Sequence, residues 1–259
     1  MVCLDSGSAH TSLLTSLTET SEGIDRKMSV NYYARARFIA NLMPQLTAAA
    51  KAGELSRVNS VLAAGSEGKI RVEDLQLKDN FTLHACLAHC VVMTDFFMEE
   101  LARRYPDTAF FHSYPGTVKT GIAQNLTGPV RLAVKVLYAV SSPWIIQVQE
   151  SGERHLFQIT STIYPPRNGG VGVPPSDDKL EVTIGSNGER GSGAYLLDWD
   201  GQSTGDAKLL REHRQNGLNR IVWEHTQEIF ERAIGNKRPA DDHEGPAQPI
   251  RNPPGWRAA

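Results

Sequence analysis

Tyr114-Pro115-Gly116-Thr117-Val118-Lys119-Thr120-Gly121 directly follows the apolar run Ala109-Phe110-Phe111-His112-Ser113. The run reads as a buried strand of a parallel sheet. A strand that passes into Pro-Gly and an ordered loop is where α/β sheets hold ligands, outside the carboxyl ends of their strands. Taken alone the octapeptide is equally an ordinary turn, so its neighbours decide the reading.

Immediately upstream, Thr82 to Arg104 carries the strongest helical pattern in the chain. It is apolar nearly all round, through Leu83, Leu87, Val91, Val92, Phe96, Phe97 and Leu101, and is expected to be buried on several sides. Further back, Ser56-Arg57 forms a polar lead into a strand, Val58-Asn59-Ser60-Val61-Leu62, which ends at small residues and Gly65. The loop between these two carries Glu73, Asp74, Lys78 and Asp79, expected to be solvated. From Ile24-Asp25 a helix is expected, with Val30, Ala34, Phe38, Leu42 and Leu46 as its stripe, Tyr33 and Ile39 widening it, and Pro44 loosening its last turn. The chain opens on an apolar run, Val2-Cys3-Leu4, followed by Asp5-Ser6-Gly7.

Downstream, residues 129–146 read as a partly exposed helical excursion and Glu150 to Thr162 as a helix stopping before Pro165-Pro166. Residues 165–193, rich in Gly and Pro, read as loop. Gly188-x-x-Gly191-x-Gly193 belongs to that loop, because it runs into a strand and a phosphate-binding glycine motif must open a helix. Ala194 to Trp199 reads as a last strand, and Ala207 to Ile234 as a closing helix broken near Gly217. Residues 235–259, with five prolines, read as a disordered tail. Strand and helix thus alternate in the βαβ order that builds a parallel sheet with helices on both faces. Residues 1–234 read as one α/β domain.

Composition restricts the function classes. The 259 residues are 40% hydrophobic and 22% charged, with a net charge of −2. That balance gives no electrostatic footprint for nucleic acid or an anionic membrane. Three cysteines make no disulfide framework. The most apolar long stretch, Val130 to Ile146, is interrupted by Arg131, Lys135 and Pro143, too broken for a membrane span. Met1 to Asp5 lacks the basic and apolar regions of a signal peptide. The expectation is a soluble, cytoplasmic protein with a small-molecule partner and with homo-oligomerisation left open.

Several segments in this order resemble the short-chain dehydrogenase/reductase family, and within it the fungal members of secondary-metabolite biosynthesis. They are Thr20-Ser21-Glu22-Gly23-Ile24-Asp25-Arg26-Lys27, Val30-Asn31 with Leu42-Met43-Pro44, Arg57-Val58-Asn59-Ser60-Val61, Tyr114 to Thr120, and Trp223-Glu224-His225-Thr226. The resemblance spans roughly residues 2–234. It implies a Rossmann-type domain binding NADP or NAD and acting on a ketone or alcohol. Ser60 takes the position of the serine that hydrogen-bonds the substrate oxygen, and Asn31 that of the asparagine that supports the catalytic lysine. Gly7, Pro115, Gly116, Val118 and Thr120 take cofactor-binding positions. Such chemistry needs the nicotinamide ring held at a fixed distance and a donor poised on the developing oxyanion.

The sequence departs from the family twice. Asp5-Ser6-Gly7 resembles the Asn-Ala-Gly that ends the family's fourth strand, so its amino-terminal glycine-rich cofactor motif has no counterpart, as in an amino-terminally truncated domain. The family's Tyr-x-x-x-Lys, whose ammonium lowers the phenol pKa, is also missing: its slots fall on Leu83 and Leu87. His84 adjoins the tyrosine slot and His89 lies one turn beyond; Cys86 and Cys90 share one helix face, where core packing outweighs metal binding. Two alternatives to the oxidoreductase follow: a redox-silent cyclase, isomerase or binding scaffold using the old substrate pocket, or a truncated non-catalytic chain.

Overall fold

The computed structural model describes residues 2–4, 17–118, 145–177 and 179–235. Gly7, Lys119, Thr120, nearly all of the 129–146 excursion and the tail after Gly235 lie outside the described residues. Parallel strands need a long crossover between them, and the helical stretches supply it here. Strands β1 (Val2–Leu4), β2 (Arg57–Val61), β3 (Ala109–Ser113) and β4 (Ala194–Leu197) form one sheet in chain order. Every neighbouring pair is parallel, and one row of the register runs Leu4, Ser60, His112, Leu196.

Alternation along the strands divides the side chains between two cores. On one face Val58, Phe110, Ala194 and Leu196 join the larger cluster, built from the long helices. On the other, Ala109, Phe111, Tyr195 and Leu197 meet Ile159, Ile163 and Tyr164. The Phe111 and Tyr195 rings stack there at 5.4 Å. Arg57, expected as a polar lead-in, is instead inside β2 and 1% exposed. Its guanidinium donates to the Tyr164 carbonyl and, at 3.3 Å, to the Val171 carbonyl. Burial pushes its pKa down to about 10.

Helix α1 (Arg26–Met28) is capped by Asp25, which accepts the N–H groups of Lys27 and Met28. It passes through a π turn, Ser29–Tyr33, into α2 (Ala34–Lys51), which continues past Pro44. The expected stripe holds at Tyr33, Ile39 and Leu46, which are buried, but Phe38 is 49% exposed, and Tyr32, Ala36 and Met43 complete the buried face instead. Spacing of strictly four residues drifts around a helix by about 40° per step, while alternating fours and threes hold one face. Helix α3 (Leu83–Arg104) starts at Thr82, whose hydroxyl accepts the Ala85 N–H. Its middle is buried on all sides as expected, but Leu83 and Leu87 are 38% and 45% exposed. The first two turns are buried on one side only, through Cys86, His89 and Cys90.

Helix α4 (Val148–Thr160) covers the smaller core, and α5 (Ala207–Gln215) and α6 (Leu218–Gly235) close the larger one. The break between the last two falls at Gly217, whose φ of +75° suits glycine. Trp223 of α6 stacks on Phe97 of α3 at 5.5 Å. The Thr226 hydroxyl donates back to the Val222 carbonyl, so the Tyr32 hydroxyl, 2.5 Å away, donates to Thr226. In the connection before β4, Gly188, Gly191 and Gly193 are all left-handed and no helix follows them, in agreement with the loop reading. Asp74, expected in solvent, is 8% exposed and accepts the N–H groups of Lys78, Asp79 and Asn80. A turn that must bury its own backbone donors needs such an acceptor.

Candidate functional site

The carboxyl ends of β2, β3 and β4 lie side by side, and the loop that leaves β3 is pinned among them. The Tyr114 N–H donates to the Leu197 carbonyl at 2.8 Å, and the Leu62 N–H to the Ser113 carbonyl at 2.8 Å. The Ile146 N–H then donates to the Thr117 carbonyl at 2.9 Å, and Val118 bridges Ile146 in parallel. Gly116 has φ +75°, and a Cβ there would lie 2.4 Å from Ile146 Cδ1 and 3.0 Å from Trp199 Cβ. Only glycine fits that backbone on both counts.

The loop forms one wall of a cleft of about 440 Å³, with Tyr114, Gly116 and Thr117 facing Ile146, Arg154 and Trp199. The Arg154 guanidinium lies 4.4 Å from the Trp199 ring centroid and donates to Glu150 Oε1 at 3.1 Å. The walls mix polar and apolar surface, with the Glu150–Arg154 ion pair among them, and the volume is that of a small-molecule site. A larger cleft of about 760 Å³ lies between the carboxyl-terminal end of α3, α6 and the start of β4. It sits at the amino ends of the strands, and its Glu99 and Glu100 are already held by Arg214, Arg103 and Arg104. The smaller cleft is therefore the better candidate, since open parallel sheets bind ligands at their carboxyl edge.

The proposed site residues separate into two groups. Gly116 lies in the cleft wall, and Pro115 and Val118 flank it in the same loop, all three half-buried. Ser60 lies inside β2, 1% exposed, and its hydroxyl accepts from Arg35 Nη1 at 3.4 Å. Asn31 is half-buried in the π turn. Arg35 links Ser60 to the π turn that carries Asn31: its Nε donates to the Val30 carbonyl at 3.1 Å and its Nη1 to the Val61 carbonyl at 2.9 Å. That side chain is 7% exposed and ties the π turn to the end of β2.

Arg35, Arg154 and Trp199 are absent from the set chosen from the sequence. Arg35 carried a usable signal, because Tyr32, Arg35 and Ile39 share one helical face. His89 is 1% exposed and structural: its Nε2 accepts the Arg71 N–H at 3.0 Å and its Nδ1 lies 3.3 Å from the Leu75 carbonyl. His84 is exposed in the first turn of α3. Cys86 and Cys90 are buried, and among the described residues no group of three or more His, Cys, Asp or Glu side chains is placed to hold a metal. No described helix is long and apolar enough to cross a membrane.

No protein-family model matches the chain. Among curated proteins, Oxidoreductase AN1596 of Emericella nidulans is 42% identical over 220 residues, covering 83% of this chain and 64% of that protein. Oxidoreductase andH of Emericella variicolor is 33% identical over 233 residues, covering 88% of this chain and 67% of that protein. Short-chain dehydrogenase/reductase SAT2 of Stachybotrys chartarum is 26% identical over 212 residues, covering 80% of this chain and 58% of that protein. The chain therefore spans about three-fifths to two-thirds of the length of these relatives.

Proposed function

The chain belongs to the family of fungal oxidoreductases that these relatives represent, and on that premise we propose that it binds NADP or NAD and acts on a ketone or alcohol of secondary metabolism. The observation that carries the reading is the loop at the end of β3. Gly116 brings the backbone close between Ile146 and Trp199, and Tyr114, Gly116 and Thr117 line a cleft at the carboxyl edge of a parallel sheet. The fit is to one end of a dinucleotide: a cleft of about 440 Å³ with Tyr114 and Trp199 beside polar groups suits a flat ring with its sugar. When bound, the cofactor supplies the hydride.

In this reading Pro115, Gly116 and Val118 hold the ring end, with Gly7 and Thr120 completing the cofactor contacts. Ser60 and Asn31 keep the catalytic positions the resemblance gives them, and Arg35 links Ser60 to the π turn that carries Asn31. The chain's own contribution is to orient the ring and exclude water from one face of it. Leu83 and Leu87 stand in the slots of the family's acid and lysine, and their exposed side chains offer no proton. That observation favours a second reading, in which the pocket orients a reactive intermediate for cyclisation or isomerisation without redox change.

Thermal unfolding with NADPH and with NADH, each at millimolar concentration, tests the proposal. A ligand at one hundred times its Kd stabilises by about 2.7 kcal/mol, which raises the midpoint measurably. No shift with either nucleotide would sink the oxidoreductase reading. Turnover of a pathway intermediate in nucleotide-free buffer would then establish the second.

A further inference from the structure

We propose that the buried pair Asp95–His112 is a positioning device that sets the backbone of the turn after β2, residues 62–65. Asp95 on α3 and His112 on β3 both have side chains with no solvent exposure. His112 Nδ1 lies 2.5 Å from Asp95 Oδ1, and the Ala63 N–H donates to His112 Nε2 at 3.2 Å. A donor on Nε2 requires a bare lone pair there, so the single ring proton of the neutral imidazole is on Nδ1 and points at Asp95. Asp95 thereby selects the tautomer, and the tautomer supplies the acceptor for Ala63.

The turn is held beyond that point as well. The Gly65 N–H donates to Glu67 Oε1 at 2.9 Å, and Glu67 Oε2 accepts the Asp206 N–H at 3.1 Å, just before α5. Gly65 has φ +88°, and a Cβ there would lie 2.6 Å from Thr204 Oγ1. An apolar pair of similar shape would fill the same volume without desolvating a carboxyl group and an imidazole. What the polar pair adds is direction: one acceptor aimed at one backbone N–H, at the carboxyl end of the strand beside the ligand cleft. The charged groups acting on the pair are Arg35 towards His112, and Glu67, Glu99 and Arg214 towards Asp95.

The link from this turn to ligand affinity rests on the nucleotide-binding reading above; the link from His112 to the turn does not. The test uses nitrogen-15 NMR of the histidine rings and amide exchange at Ala63 in the full chain. At pH 7 the His112 ring should show a protonated Nδ1 and a bare Nε2; the opposite tautomer or an imidazolium overturns the proposal. His112→Asn keeps a partner for Asp95 and removes the acceptor, so Ala63 exchange should quicken by about tenfold. His112→Gln carries an amide oxygen towards the Nε2 position, so its exchange should stay near wild type. Equal acceleration in both variants, or none in His112→Asn, would reduce the pair to packing and overturn the proposal.

If His112→Asn does not fold, Asp95→Asn and Asp95→Leu replace it. The first retains an acceptor for Nδ1–H and leaves Ala63 protected; the second frees the tautomer and exposes it. Equal protection in both would overturn the proposal. With NADPH as the probe, Kd should rise several-fold in His112→Asn and stay near wild type in His112→Gln. An unchanged Kd in His112→Asn would overturn the link to affinity, while no binding by the wild type would reject the nucleotide reading and leave the exchange result standing.

Discussion

At the scale of single residues, Gly116 is the position where backbone geometry and packing make the same demand. Alanine there must adopt φ +75° and place a methyl carbon 2.4 Å from Ile146 Cδ1. The left-handed strain alone costs about 1 kcal/mol, and relieving the overlap adds a similar amount. Gly116→Ala should therefore lose about 2 kcal/mol in urea unfolding, whereas Gly53→Ala, left-handed but with open space around it, should lose about half as much. Much of this loop was legible in the sequence, because Pro-Gly after an apolar run is a local signal. Arg57 was not: it is a cation whose burial depends on a carbonyl oxygen far away in the chain, at Tyr164. Long-range acceptors leave no trace in local pattern.

At the scale of elements, the helices were legible where their ends carry chemistry. Thr82 before α3, Asp25 before α1 and Gly217 between α5 and α6 are all local capping or breaking signals, and each stands where the structure places a boundary. Which face each helix buries was less legible. The π turn and the drift of a four-residue spacing moved the buried side of α2 away from Phe38, and the first turns of α3 project Leu83 and Leu87 into solvent. The cap of α3 gives an element-scale prediction. Thr82→Ala removes the acceptor for the Ala85 N–H and should cost about 1 kcal/mol, read as a lower urea midpoint at unchanged slope. Thr82→Asp should restore most of it, since a carboxylate accepts the same N–H and suits the positive end of the helix.

At the scale of the whole molecule, buried histidines set the response to pH. Burial holds His112 down to about 3 and His225 down to about 4, both from about 6.5, and lowers His89 as well. Each is neutral in the native state and charges on unfolding in mild acid. Their stabilisation is therefore present above about pH 6.5 and is lost as pH falls towards the folded values. Asp95 acts in the opposite sense: burial raises its pKa well above the usual carboxylate range, so the native state keeps a proton the unfolded chain gives up. Two strongly depressed histidines outweigh one raised carboxyl, so unfolding free energy should rise from pH 5 to pH 7. Chemical denaturation across that interval checks the sign; a flat or falling profile would mean that the histidines are not buried as neutral rings.

The sheet order has a consequence in time. Because β1, β2, β3 and β4 lie side by side in the order in which they occur in the chain, each new strand has its partner already laid down before it. Synthesis proceeds at about 5–20 residues per second, so a ribosome delivers each strand to a waiting edge in turn. The larger core, though, is closed late, by the last two described helices, with Trp223 against Phe97. A nascent chain can thus carry a growing sheet while its main apolar face still lacks its final cover, and it is over that interval that it most needs a chaperone.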